Sequence, residues 1–131
     1  MTAASSILVV DDERDVELLF RQRFRKEIRD GLLQLHFAFS GEQALDMLHR
    51  PEGADLVLIL SDINMPGMTG IELLRRIKSS TPAMKVFMIT AYGDEQNLKQ
   101  AKENGADNFI NKPVDFSMLK REIANVLHIP L

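Results

Sequence analysis

Apolar residues follow two alternating rhythms along this chain. SILVV (6–10) is an unbroken run of strand length and reads as a buried strand. In VELLFRQRFRKEIRDG (16–31), Val16, Leu19, Phe20, Phe24 and Ile28 recur at helical spacing, so the pattern predicts one helix closed by Gly31. LLQLHFAF (32–39) instead alternates, with Leu33, Leu35, Phe37 and Phe39 on one side and Gln34, His36 and Ala38 on the other. That predicts a strand with one less buried side, as at a sheet edge.

The alternation of element types continues to the end. Ser40 is placed as an N-cap with Gln43 set for the reciprocal capping-box bond, and Ala44, Leu45 and Leu48 form the inner face of a helix ended by Pro51 and Gly53. Leu56 to Leu60 is a third buried strand. Thr69 and Glu72 frame a second capping box ahead of Ile71, Leu74 and Ile77, and KVFMIT (85–90) is a fourth strand. Asp94 caps a polar helix whose clear apolar members are Leu98 and Ala101. NFI (108–110) and a helix after Asp115, with Phe116, Leu119, Ile123 and Val126 inward, complete five β/α pairs. Parallel strands need crossovers and helices supply them, so the expected architecture is a mainly parallel sheet covered on both faces.

Composition narrows the class of molecule. A chain of 131 residues, 45% hydrophobic and 27% charged, is expected to form one domain with a single substantial core over about 6–127. It has no cysteine, which excludes disulfides and thiolate chemistry and agrees with a cytoplasmic setting. The N-terminus lacks signal-peptide character and no stretch reaches membrane-spanning length, so no membrane association is expected. With a net charge of −3, direct nucleic-acid binding is not expected either, and the local basic run RQRFRK (21–26) reads as the solvated face of a helix.

Polar residues stand where each buried strand stops: Asp11 and Asp12, then Asp62, then Thr90, then Lys112. In open α/β sheets the carboxyl ends of the strands are where ligands bind. If the first and third strands are neighbours, about 4.8 Å apart, Asp62 and the Asp11/Asp12 pair would converge. Three such carboxylates repel one another unless a cation neutralises them, and a small open oxygen cluster suits Mg2+ better than Ca2+. A metal, a hydroxyl and a lysine around an attacking carboxylate make a phosphoryl-transfer site, with Asp62 as the nucleophile.

The motifs VVDDE (9–13), SDINMPGMTG (61–70), TAY (90–92) and NKP (111–113) closely resemble the receiver domain of two-component response regulators, from about Ile7 to Leu127. The resemblance implies a flavodoxin-like (βα)5 three-layer sandwich with strand order 2-1-3-4-5, and a single receiver domain over 1–131 with no output domain in this chain. It implies that Asp62 takes a phosphoryl group from a phosphohistidine of a sensor histidine kinase or phosphotransfer protein. Asp11, Asp12, Asp62 and the backbone carbonyl of Asn64 would hold Mg2+, for which Mn2+ substitutes. Thr90 and the backbone N–H of Ala91 would contact the phosphoryl oxygens, Lys112 would pair with them, and Lys112–Pro113 would be a cis peptide. Asn64 and Tyr92 would modulate the lifetime of the phosphate, and Phe109 would be the switch aromatic coupled to Thr90.

Phosphorylation would shift the face formed by 94–127, the surface for homodimerisation or for an output domain or partner. On this reading the chain is no enzyme beyond its own phosphorylation and autodephosphorylation. Two rival readings remain distinguishable: a degenerate receiver that binds partners without phosphorylation, and a phosphohydrolase with an aspartyl-phosphate intermediate. The second usually carries its nucleophile on the first strand with a DxD spacing and has a cap domain, for which no residues remain here.

Overall fold

A computed structural model describes residues 3–91 and 93–131. Its strands are β1 (Ser5–Val10), β2 (Leu33–Ala38), β3 (Leu56–Asp62), β4 (Lys85–Thr90) and β5 (Asn108–Asn111). They form one parallel sheet in the order β2-β1-β3-β4-β5. The helices are α1 (Asp15–Arg23), α2 (Arg25–Arg29), α3 (Gly41–His49), α4 (Gly70–Ser80), α5 (Glu95–Glu103) and α6 (Phe116–Leu127), with a 3-10 turn at Pro51–Asp55. None of them is long and apolar enough to cross a membrane.

Strand residues alternate between faces, so the two sides of the sheet carry separate cores. Leu8, Val10, Ile59, Ile63, Val86 and Met88 pack with buried residues of α3, α4 and α5. Ile7, Val9, Leu58, Leu60, Phe87, Ile89 and Ile110 pack with Phe20, Phe24, Leu119 and Ile123. Leu58, Ile59 and Leu60 are at most 1% exposed. At about 1.5–3 kcal/mol for each fully buried aliphatic side chain, they fix β3 and whatever stands at its end.

Several expectations are corrected. The first helix is divided at Phe24, which leaves helical geometry (φ −103°, ψ 14°). The ring is fully buried there, stacked on Phe20 at 5.9 Å between centroids and edge-on to Phe116 at 6.1 Å, so packing holds the departure in place. Leu19 is not a core residue but 40% exposed, beside Leu18 at 66%. In β2, Ala38 is buried under the α3 side, whereas Phe39 lies past the strand's end with the Arg14 guanidinium 4.3 Å from its ring centroid. The third run is not buried throughout. Pairing with β1 passes from Ser6–Leu56 to Ile7–Leu58, so Val57 is the extra residue of a bulge and is 41% exposed.

The capping residues cap as expected, but their reciprocal bonds differ. Ser40 accepts from Gln43 N–H at 3.0 Å, while Gln43 Oε1 accepts from Phe39 N–H at 2.7 Å, one residue earlier than the motif places it. Thr69 accepts from Glu72 N–H at 3.2 Å. The Glu72 carboxylate is instead bonded to Arg75 at 2.6 Å and Arg76 at 3.0 Å, and these two partners hold its pKa down.

Candidate functional site

The site lies at the carboxyl end of the sheet, where β1 and β3 run side by side. Asp11 follows β1 directly, its N–H donating to Ala38 O at 3.1 Å and its Oδ1 accepting from Glu13 N–H at 2.9 Å. Asp62 is the last residue of β3. Its carboxylate is held from both sides, with Oδ1 accepting the Asn64 N–H at 3.3 Å and Oδ2 at 3.0 Å from Lys112 Nζ. Lys112 stands just after β5 and is anchored by its N–H donating to Thr90 O at 2.8 Å. The Lys112–Pro113 peptide is cis.

Asp11 and Asp62 are 6% and 5% exposed, whereas Asp12 faces solvent. One carboxylate oxygen from each of the three lies within 4.8 Å of the others. Burial pushes the Asp11 carboxyl up; the Glu13 N–H opposes this, the charges of Asp62 and Asp12 reinforce it, and Lys112 offsets part of it. Lys112 carries the complementary perturbation. Burial works against its charge, but the bond to Asp62 and the charges of Asp62, Asp11 and Glu13 outweigh it and raise the ammonium pKa.

This donor set suits a hard divalent cation. Three oxygens within 4.8 Å of one another are close enough to share one small cation, and only two or three protein ligands are needed because Mg2+ keeps several waters. The mutual repulsion of these carboxylates also supplies the electrostatic reason for a cation.

The other expected residues are arranged around this cluster. Asn64 is exposed in the loop after β3. Thr90, 3% exposed, ends β4, and its hydroxyl donates to Asn111 Oδ1 at 3.2 Å. Ala91 follows it on the surface, and Tyr92 lies outside the described residues. Phe109 is half-buried on β5, packed against the α3–α5 core with Lys102 Nζ 5.8 Å from its ring centroid. On the other side of Lys112, an open crevice of about 630 Å³ is lined by Asp11, Glu13, Leu19, Phe20, Lys112 and Phe116 among others.

Two participants were not expected from the sequence. Gly70 opens α4 so close to the end of β3 that a Cβ would stand 2.1 Å from Asp62 O and 2.6 Å from Ile63 Cα, and its N–H donates to Ile63 O at 2.8 Å. Its place directly after the N-cap Thr69 was the available signal, since nothing else asks for a glycine at the first position of a helix. Asn111 carries no comparable signal; only the β4–β5 register, which pairs it with Thr90, makes it visible.

Comparison with known proteins bears on the family and the fold. The sequence pattern of the family described as "Response regulator receiver domain" matches residues 7–124. Sporulation initiation phosphotransferase F of Bacillus subtilis is 37% identical over 121 residues, 92% of each chain. A cyclic di-GMP phosphodiesterase of Thermotoga maritima is 33% identical over 93% of this chain, which spans only 31% of that protein. Among solved structures, a CheY-like receiver domain protein from Methanospirillum hungatei JF-1 superposes with a TM-score of 0.84 at 28% identity, covering 96% of this chain and 95% of that one.

Proposed function

This chain belongs to the response regulator receiver domain family, and from that premise we propose that Asp62 is its phosphoacceptor, charged by a sensor histidine kinase or a phosphotransfer protein. The observation that carries the reading is the setting of Asp62. A nearly buried carboxylate at the end of β3 is gripped at one oxygen by the Asn64 N–H and at the other by Lys112 Nζ, beside two further carboxylates.

In the reaction an Asp62 oxygen attacks the phosphorus of a phosphohistidine, the P–N bond breaks as the O–P bond forms, and the imidazole leaves with the bonding pair. The grip on Asp62 pre-orients the attacking oxygen, which removes much of the entropic cost of alignment. Lys112, already held at 3.0 Å, balances negative charge that accumulates on the transferred group. Asp11, Asp12, Asp62 and the Asn64 carbonyl would hold Mg2+ or Mn2+, which supplies charge neutralisation when bound. Thr90 and the Ala91 N–H, at the neighbouring strand end, are the donors to the phosphoryl oxygens, and Asn64 and Tyr92 are the residues assigned to modulate its lifetime.

The product alters a two-state equilibrium through added charge and acceptor oxygens. Phe109 and α5 are the elements that respond. α5 contributes only Ala101 to the fully buried core, and an element so lightly anchored is cheap to move. The 94–127 face then engages an output domain, a partner or a second copy, with residues 1–131 acting as one receiver unit.

Treatment with acetyl phosphate and Mg2+ followed by intact-mass measurement tests the reading. The chain should gain one phosphoryl group, and the Asp62→Asn variant should gain none. A folded wild-type chain with no mass increase would overturn it in favour of a phosphorylation-independent binding module.

A further inference from the structure

We propose that Asn111 is a positioning residue that holds the Thr90 hydroxyl away from the acidic cluster and so sets how readily the phosphorylated state forms. The inference rests on the reading of Asp62 as phosphoacceptor and concerns a side chain that the reading does not use. Thr90 and Asn111 are direct partners in the β4–β5 register, and the hydroxyl donates to Asn111 Oδ1 at 3.2 Å. The backbone around them is tied, because Lys112 N–H donates to Thr90 O at 2.8 Å. Any re-aiming of the hydroxyl is therefore a side-chain event.

A threonine hydroxyl has one proton to donate. While Asn111 accepts it, a phosphoryl oxygen on Asp62 cannot, so the two acceptors compete for the same donor. The strand geometry makes the competition directional. Asp62 belongs to the row of Leu58 and Leu60 and Thr90 to the row of Val86 and Met88, which face opposite cores. Asn111 shares Thr90's side and draws the hydroxyl along it. Beside the pair is an open crevice of about 300 Å³ that Ala91, Asp94 and Leu98 also line, which leaves room for the rearrangement.

Releasing the latch should favour the phosphorylated state by the net worth of one neutral hydrogen bond, roughly two- to tenfold. Beryllofluoride, a non-covalent stand-in for the phosphoryl group, gives the readout in the presence of Mg2+. The chain has no tryptophan, so calorimetric titration replaces intrinsic fluorescence. Asn111→Leu, which keeps the bulk and removes the acceptor, should tighten beryllofluoride binding by that factor, and Asn111→Ala at this exposed position should do the same. In a Thr90→Val background, where there is no hydroxyl to hold, neither substitution should change the affinity.

Unchanged or weakened affinity in folded Asn111 variants would overturn the proposal, as would a gain of the same size in the Thr90→Val background. Binding by wild type with no gain in the variants defeats the latch alone. No beryllofluoride uptake by wild type at all defeats the phosphoacceptor reading and the latch with it.

Discussion

Neutralising Asp11 should make the metal-free domain more stable while removing its response to Mg2+. In Asp11→Asn the retained Oδ1 still accepts the Glu13 N–H, so the substitution changes charge and little else. The burial penalty on the charge is relieved, opposed by a weaker bond from the Glu13 N–H; among the charges, two repulsions disappear, with Asp62 and Asp12, and one attraction, to Lys112, which stays paired with Asp62. At the observed 4.8 Å limit each unit-charge repulsion is worth about 1 kcal/mol at a dielectric of 80 and about 3.5 at 20. With one repulsion cancelled by the lost attraction, the net gain near neutral pH is about 1–3 kcal/mol, or roughly 3–15 °C in Tm for a domain of this size.

The pH dependence follows from the direction of the Asp11 shift. A carboxyl whose pKa is raised by folding binds its proton more tightly in the folded than in the unfolded chain, so its penalty is absent below the ordinary value of 3.8 and grows as pH rises through the folded value. The advantage of Asp11→Asn should therefore be full near neutrality and vanish below 3.8. Differential scanning calorimetry in chelator, at neutral and acid pH, reads this directly. Repeated with Mg2+ at ten times its Kd, wild type should gain about 1.4 kcal/mol and the variant far less. A metal-free variant less stable than wild type at neutral pH, or a gain that persists unchanged in acid, would show that the cluster is not electrostatically loaded as argued.

Two further substitutions probe the scaffold. Gly70→Ala drives a methyl group into the backbone of Asp62 and Ile63, where no side-chain rotation relieves the overlap, so it should cost roughly 3 kcal/mol in denaturant unfolding and slow acetyl phosphate labelling; full stability and labelling would contradict the close approach. Phe24→Ala empties a fully buried position shared with Phe20 and Phe116 and should cost about 3–5 kcal/mol by urea titration, with labelling retained under folded conditions; a cost below 1 kcal/mol would mean that the core closes around the gap.

The strands, their parallel sheet and the acidic residues at its edge were legible because runs such as SILVV and KVFMIT can be buried in few other ways. The break at Phe24 was not. Phe24 N–H still donates to Phe20 O and Ile28 N–H to Phe24 O, both at 2.9 Å, so helical bonding and spacing pass through the break unchanged. Val57 escaped for a different reason: an apolar run does not say which residue a bulge will expel. The capping motifs marked helix starts correctly but not the second partner, since Arg75 and Arg76 compete for Glu72. Asn111 could not be recognised as Thr90's acceptor without the pairing of β4 with β5, a contact between distant residues that no local pattern encodes.

The alternation that divides the core in two has a consequence for information flow. Asp62 and Lys112 belong to the layer with the phenylalanine cluster and the crevice beside α1, while Thr90, Asn111 and Phe109 belong to the layer with α5. The sheet works as a partition with one door, at the ends of β3 and β4. If Asp62 is the phosphoacceptor as proposed, chemistry enters on one side and a change of packing leaves on the other, so substitutions on the phosphodonor side should leave the output side unaltered, provided the residues in the doorway are left alone.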